Sequence, residues 1–215
     1  MKLYDIHTHH LPTDMPQGYQ VVSILNTYPL EADLQDKEGV YYSCGIHPWY
    51  MDKAAEQFQR LEEIALDRRV VAIGEAGLDK LKGAEWELQE HYFRKQIELS
   101  IEVQKPLIIH CVKAWDELIA LRKEYQPDNA WIVHGFRGKP QQAEQLLHAG
   151  FKISVGEVFN PETIKRIPLD SLFCETDMSD TPVLSICQNV SRESDVCIEY
   201  LIENIGVNVK NAFNL

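Results

Sequence analysis

The sequence predicts an α/β fold, a closed barrel of eight parallel strands with helices outside, on three observations. Short apolar runs recur eight times along the 215 residues, amphipathic helical stretches lie between them, and several runs are hydrophobic almost throughout. Strands covered on both faces lose the inside–outside alternation of half-exposed ones, as parallel strands under crossover helices do. Alternating β and α segments with eight strands favour a compact TIM-type (β/α)8 barrel over the runner-up, an open doubly wound sheet. A chain of 215 residues suffices for one good core and is short for two, so a single domain over residues 1–215 is expected.

In order, the runs are LYDIHTH (3–9), YQVVSIL (19–25), VYYSCGIH (40–47), VVAIGEAG (70–77), PLIIHC (106–111), AWIVHGF (130–136), FKISVG (151–156) and SLFCETD (171–177). The link between the second and third is about 15 residues and contains Pro29, so that outer helix is expected to be short or missing. Residues 53–66 place Phe58, Leu61, Ile64 and Ala65 on one helical face. Residues 84–104 carry Phe93, Ile97 and Ile101 at four-residue spacing. In KPQQAEQLLHAG, Pro140 suits a first helical turn and Gly150 a C-terminal cap. A last helix is expected from about Ser191 to Gly206.

Composition narrows the function. The formal net charge is −12, against a broad electrostatic grip on nucleic acid. It does not argue against metals, since carboxylate-rich sites carry negative charge that bound cations offset. No apolar run approaches the length of a membrane span, and the N-terminus lacks the pattern of a secretory signal. With five cysteines and no CxxC pair, reduced thiols and a cytoplasmic location are expected. Cys44, Cys111 and Cys174 read as small buried core residues.

The chemistry collects at one end of the runs. They finish in His7 and His9, His47, Glu75, His110, His134 and Asp177, so six of the eight end in a potential ligand or acid–base group. In a parallel barrel the C-terminal strand ends form one face, where catalytic residues gather. His7 and His9, two apart on a strand, project to the same side as a pair of potential metal ligands. The other four could complete one or two metal centres, and a shared carboxylate can bridge two ions.

DIHTHH, GIHPW, AIGEAGLD, IIHC, VHGFRG and ETD, in this order, resemble the TatD family of metal-dependent deoxyribonucleases, within the amidohydrolase superfamily of barrel enzymes. The resemblance covers roughly residues 3–178, including LQEHYFRKQIELSIEVQKPLIIH. It implies two divalent metal ions, Zn, Mn or Mg. His7, His9 and Asp177 would hold the first, Glu75 would bridge both, and His110 and His134 would complete the second. It also implies hydrolysis of phosphodiester bonds in single-stranded DNA or at ends by metal-activated hydroxide, with Asp177 orienting the water or taking its proton. His47 would contact the substrate phosphate or leaving group. Nucleic acid or a small phosphoester is then the partner, with no membrane and no protein partner implied.

The sequence departs from the family pattern in three places. Trp49 stands where the family often has a second histidine, Val112 and Lys113 follow where H-x-R is usual, and MSDTPVLSICQNV replaces the segment of prolines and RNEP. These are substrate-shaping positions, and the ligand set is intact. Two alternatives stay open: a small amide, lactone or ester substrate, and a non-catalytic metal-binding barrel.

Around the ligands, Trp49 and Tyr50 are placed either to stack a base or to pack the rim. Lys113 and Arg137, with Lys80, Lys82 and Lys139, are the local cations for a phosphate. Asp79 is expected to brace its loop, Glu175 to support a ligand, and Gly135 and Gly138 to permit a tight turn. His10 should face away from the pair, and His91 and His148 should lie on solvated helix surfaces.

Overall fold

The computed structural model describes residues 1–13 and 16–215. Its strands are β1 (Lys2–Thr8), β2 (Gln20–Thr27), β3 (Val40–Cys44), β4 (Val70–Asp79), β5 (Leu107–Val112), β6 (Trp131–Val133), β7 (Lys152–Val155) and β8 (Leu172–Cys174). Each pairs in parallel with the next, in chain order. Beyond β8 the chain returns to β1. Thr8 bridges Asp177, whose N–H donates to the His7 carbonyl at 2.9 Å while His9 N–H donates to the Asp177 carbonyl at 3.0 Å. This closes the barrel and excludes the open sheet.

The helices are α1 (Ala54–Ile64), α2 (Trp86–Glu102), α3 (Trp115–Tyr125), α4 (Pro140–His148), α5 (Pro161–Ile164), α6 (Val183–Ser194) and α7 (Ile198–Phe213). No helix joins β2 to β3, as the short link containing Pro29 predicts. All ten residues of β4 are buried, which explains its unbroken hydrophobic run. Trp131, at the start of β6, packs between Phe93 of α2 and Phe151 just before β7, with ring centroids 6.4 and 5.8 Å away. All three are fully buried, each contributing roughly 1.5–3 kcal/mol of hydrophobic free energy. This cluster packs the start of β6 against the outer helix α2.

Two helical expectations are corrected. The helix expected over 191–206 is broken, because Asp195 adopts the left-handed region (φ 56°) and ends α6. Ser191 seals the break, its hydroxyl donating to the Val196 carbonyl at 2.6 Å and its carbonyl accepting from Val196 N–H. Ile101 is 37% exposed although Phe93 and Ile97 are buried. Each four-residue step drifts by about 40° on a helix of 3.6 residues per turn, so the third member of the series leaves the core face.

Two buried glutamines of α2 fasten the loops above the barrel. Gln96 accepts from Ile46 N–H at 2.7 Å and donates to its carbonyl at 3.1 Å, just before His47. Gln89 does the same for Asp79, at 2.8 and 3.0 Å. Amides suit this because one side chain satisfies both a backbone donor and an acceptor.

Candidate metal centre and its cleft

At the C-terminal end of the barrel the side chains of His7, His9, His47, Glu75, His110, His134 and Asp177 converge. The strand runs do not all end on these residues. Glu75 and His110 lie inside β4 and β5, His134 directly follows β6, and His47 and Asp177 lie three residues beyond β3 and β8.

Glu75, buried at the centre, divides the group. Its Oε2 faces His7 Nε2 at 3.5 Å and His9 Nε2 at 3.4 Å, and Asp177 Oδ1 completes that side at 3.8 and 3.6 Å from the two imidazoles. Its Oε1 faces His134 Nε2 at 2.8 Å, His110 Nδ1 at 3.0 Å and His47 Nε2 at 3.0 Å. One carboxylate thus presents each oxygen to a separate nitrogen-rich set.

The donors fit divalent metal. Ligands of a tetrahedral zinc with bonds of 2.0–2.1 Å stand about 3.3–3.4 Å apart, close to the separations around Oε2. His7 is fully buried and neither of its ring nitrogens has a hydrogen-bond partner, a costly state for a polar group that an ion relieves. Three-residue groupings within 4.8 Å occur on both sides of Glu75, His7 with His9 and Glu75, and His47 with Glu75 and His110, and a third, His7 with His134 and Asp177, spans the two. Imidazole with carboxylate suits zinc, and the carboxylate share accommodates harder ions such as Mn²⁺ or Mg²⁺.

Neighbouring groups hold these side chains in register. Glu75 N–H donates to Asn26 Oδ1 at 2.8 Å. His134 Nδ1 lies 3.1 Å from Glu175 Oε1, which also accepts from Gly135 N–H at 2.7 Å. Gly135 sits at φ +56°, so it makes the expected turn. At Gly77 (φ +154°) a Cβ would collide with the His110 carbonyl, so glycine lets β4 and β5 approach closely beside Glu75. Asp79 braces its loop as expected, accepting from Leu81 and Lys82 N–H through Oδ1. Its Oδ2 also accepts from Trp49 Nε1 at 2.7 Å and lies 3.2 Å from His110 Nε2. Asp5 accepts from the N–H and hydroxyl of Thr176, beside Asp177, and burial pushes its carboxyl up to about 7.

Charge is set by these contacts. Burial opposes ionisation of Glu75, but the facing imidazoles, His134 foremost, hold its carboxyl well below the usual range. Burial also opposes charge on His134, yet the Glu75 and Glu175 carboxylates outweigh it and hold the imidazolium form well above its usual range. Burial dominates for His47 and lowers it, against the pull of Glu75. Trp49 N–H donates to His47 Nδ1 at 3.0 Å, so the proton of the neutral ring sits on Nε2 and points into the site.

The centre opens into a cleft of about 820 Å³ that also includes Trp49, Lys113 and Arg137 in its lining. Trp49 is pinned by Asp79, with Lys82 Nζ 3.5 Å above its ring, so it packs the rim. Tyr50, 51% exposed, leans edge-on to Tyr28 at 5.4 Å. Lys113 and Arg137 are exposed on the loops after β5 and β6. Among the cysteines, Cys44 and Cys174 are core residues, but Cys111 is only half-buried and lines the cleft, because β5 continues past His110 to the rim. His10 faces outward to Asp180 at 3.5 Å, and His91 and His148 are exposed helix residues, as expected.

Several contributors escaped the sequence reading. Asn26 was detectable as a polar residue closing an apolar run (SILN), whereas Tyr28, Trp115 and Phe136 carry no local signal and reach the cleft only through folding.

The TatD-related DNase family model matches residues 18–213. A Haemophilus influenzae protein named an uncharacterized metal-dependent hydrolase is 33% identical over 161 residues, covering 68% of this chain and 62% of its own. The Escherichia coli K12 protein YjjV, of the same description, is 32% identical over 160 residues, covering 69% and 62%. The matched stretch thus spans less than two thirds of either relative. The crystal structure of E. coli YjjV, a TatD homologue, superposes with a TM-score of 0.83 at 23% identity, over 99% of this chain and 98% of that one. An amidohydrolase structure from Saccharomyces cerevisiae gives 0.75 at 17% identity, over 99% of both. These likenesses establish the barrel, and the family model the kinship: the chain belongs to the TatD-related DNase family.

Proposed function

We propose that the protein is a divalent-metal-dependent hydrolase of phosphodiester bonds, acting on single-stranded DNA or on ends. The observation that carries this reading is the division of Glu75, one oxygen toward His7, His9 and Asp177 and the other toward His110 and His134. In it, His7, His9 and Asp177 would hold one ion and His110 and His134 a second, with Glu75 shared between them. Bound ions there would supply an activated water and neutralise charge on the phosphate oxygens.

The chain's own groups handle the protons. Asp177, in the lining of the cleft, orients the attacking water and accepts one of its protons as the new bond to phosphorus forms. The ester P–O bond opposite breaks, His47 Nε2–H offers a hydrogen bond to the departing oxygen, and the proton taken up by Asp177 passes to that oxygen, which leaves as an alcohol. Glu175 and Asp79 keep His134 and His110 aimed at Glu75.

The test is degradation of an end-labelled single-stranded oligonucleotide by wild type and Glu75→Gln, with EDTA, Mg²⁺, Mn²⁺ and Zn²⁺ in parallel. Metal-dependent cleavage lost in the variant supports the reading, and activity retained by Glu75→Gln removes the bridging role. A small amide, lactone or ester is the second reading, favoured by an aromatic cleft with few cations. Turnover of such a panel without phosphodiester cleavage would establish it.

A further inference from the structure

Charge is distributed unevenly around the mouth of the barrel. The segments that follow β7, β8, β1 and β2 at the C-terminal face begin with residues 156–160, 175–182, 9–13 and 28–31. These stretches contain no lysine or arginine, but they carry Glu31, Glu157 and Asp180. The cations lie on the loops after β3 to β6, and three of the six are already engaged. Lys53 pairs with Glu56, Lys80 with Glu117, and Lys82 covers the Trp49 ring. Lys113 and Arg137 line the cleft, and among the described residues neither forms an ion pair.

In an eight-stranded ring, strands four places apart face one another, so the loop after β2, with Tyr28, stands across from the loop after β6, with Arg137. One wall of the cleft is therefore the Tyr28–Tyr50 pair, backed by acids, and the other carries Lys113 and Arg137. A polynucleotide running through the cleft would need cations on both sides of the scissile phosphate. On the tyrosine side, among the described residues, Lys53 is paired with Glu56 and no free cation is left for a phosphate, while the acids repel one.

Resting on the phosphodiesterase reading, we propose that the cleft selects a short phosphodiester rather than a polymer. Its uncharged aromatic end lies against Tyr28 and Tyr50, its scissile phosphate lies over Glu75, and a single further anion is held by Lys113 and Arg137. A cleft of about 820 Å³ is of small-molecule size. The net charge of −12 makes the rest of the surface a poor support for a longer strand.

The experiment measures kcat/KM, with Mn²⁺ and with EDTA, on three kinds of substrate. They are a dinucleoside monophosphate, the same compound with a phosphate added at its 5′ or its 3′ end, and a single strand longer than the about 16 nucleotides an extended groove can hold. An added phosphate at one end only raises kcat/KM, by about tenfold for a charge-assisted contact. That preference disappears in Lys113→Gln/Arg137→Gln. The long strand gains nothing over the favoured dinucleotide, and the slope of log kcat/KM against log salt is no steeper than about −1.4, for two neutralised phosphates.

A rate that climbs with length by about fivefold per nucleotide, the gain of one more stacked base, would overturn the proposal. So would equal benefit from a phosphate at either end. Absence of EDTA-sensitive cleavage on every substrate would instead remove the phosphodiesterase reading, and the proposal with it.

Discussion

His134 Nε2 lies 2.8 Å from Glu75 Oε1, while the Nδ1 of the same ring lies 3.1 Å from Glu175 Oε1. An imidazole between two carboxylates retains its proton well above its usual range, and without a metal His134 is the proton store of the centre. A raised folded-state pKa contributes stability below the unfolded value of about 6.5 that is lost as pH rises through the folded value. An ion binding at Oε1 must displace that proton, so metal affinity should increase with pH across the neutral range. Glu75 is already ionised and has no proton to give up. Calorimetric titration in buffers of different ionisation enthalpy should register release of about one proton per ion on this side. No release at neutral pH would show that His134 is already neutral.

Asp79 couples the loop above α2 to His110. In Asp79→Asn the charge facing His110 Nε2 is gone, while the amide oxygen still serves the loop N–H groups. Loss of such a supporting carboxylate typically costs about 10–100-fold in metal affinity. Trp49→Phe removes only the 2.7 Å indole bond and should cost less. Metal titration of the three proteins orders these effects, and equal affinities would mean that Asp79 only braces its loop.

Asn26 is buried, and its Oδ1 accepts from Glu75 N–H and lies 3.1 Å from the Ser43 hydroxyl. Asn26→Ala leaves a buried backbone donor without a partner, which should cost about 1–3 kcal/mol. Urea unfolding should show a lower midpoint with an unchanged m-value. An unchanged midpoint would mean that water takes over the contact.

Ion binding should stabilise the fold because both sides of Glu75 bring together strands distant in sequence. At a free metal concentration about 100 times the dissociation constant, the gain is about 2.7 kcal/mol. EDTA should lower the melting temperature of wild type and leave that of Glu75→Gln almost unmoved. Equal EDTA shifts in both proteins would place the stabilising ion away from Glu75.

The barrel itself was legible in the sequence. Eight buried strands leave eight hydrophobic runs, and the need to cover both faces of each keeps those runs continuous, as in β4. The ligand positions were legible for a related reason: side chains near strand ends are held by the strands, so His7, His110 and His134 can be located by position alone. Local pattern failed where a single backbone angle decided the outcome, as at Asp195, or where helical drift carried Ile101 off the core face.

Only the tertiary structure decided how the groups divide. That Glu75 turns one oxygen to β1 and the other to β5 and β6 depends on barrel closure through Thr8 and Asp177. The pairing of Glu175 with His134, of Asp79 with His110, and of Tyr28 with Tyr50 joins residues 41, 31 and 22 positions apart, respectively. Sequence determines which residues each strand delivers to the open end of the barrel. Which of them then meet depends on strand order and register, and those are set by packing between segments that no local pattern connects.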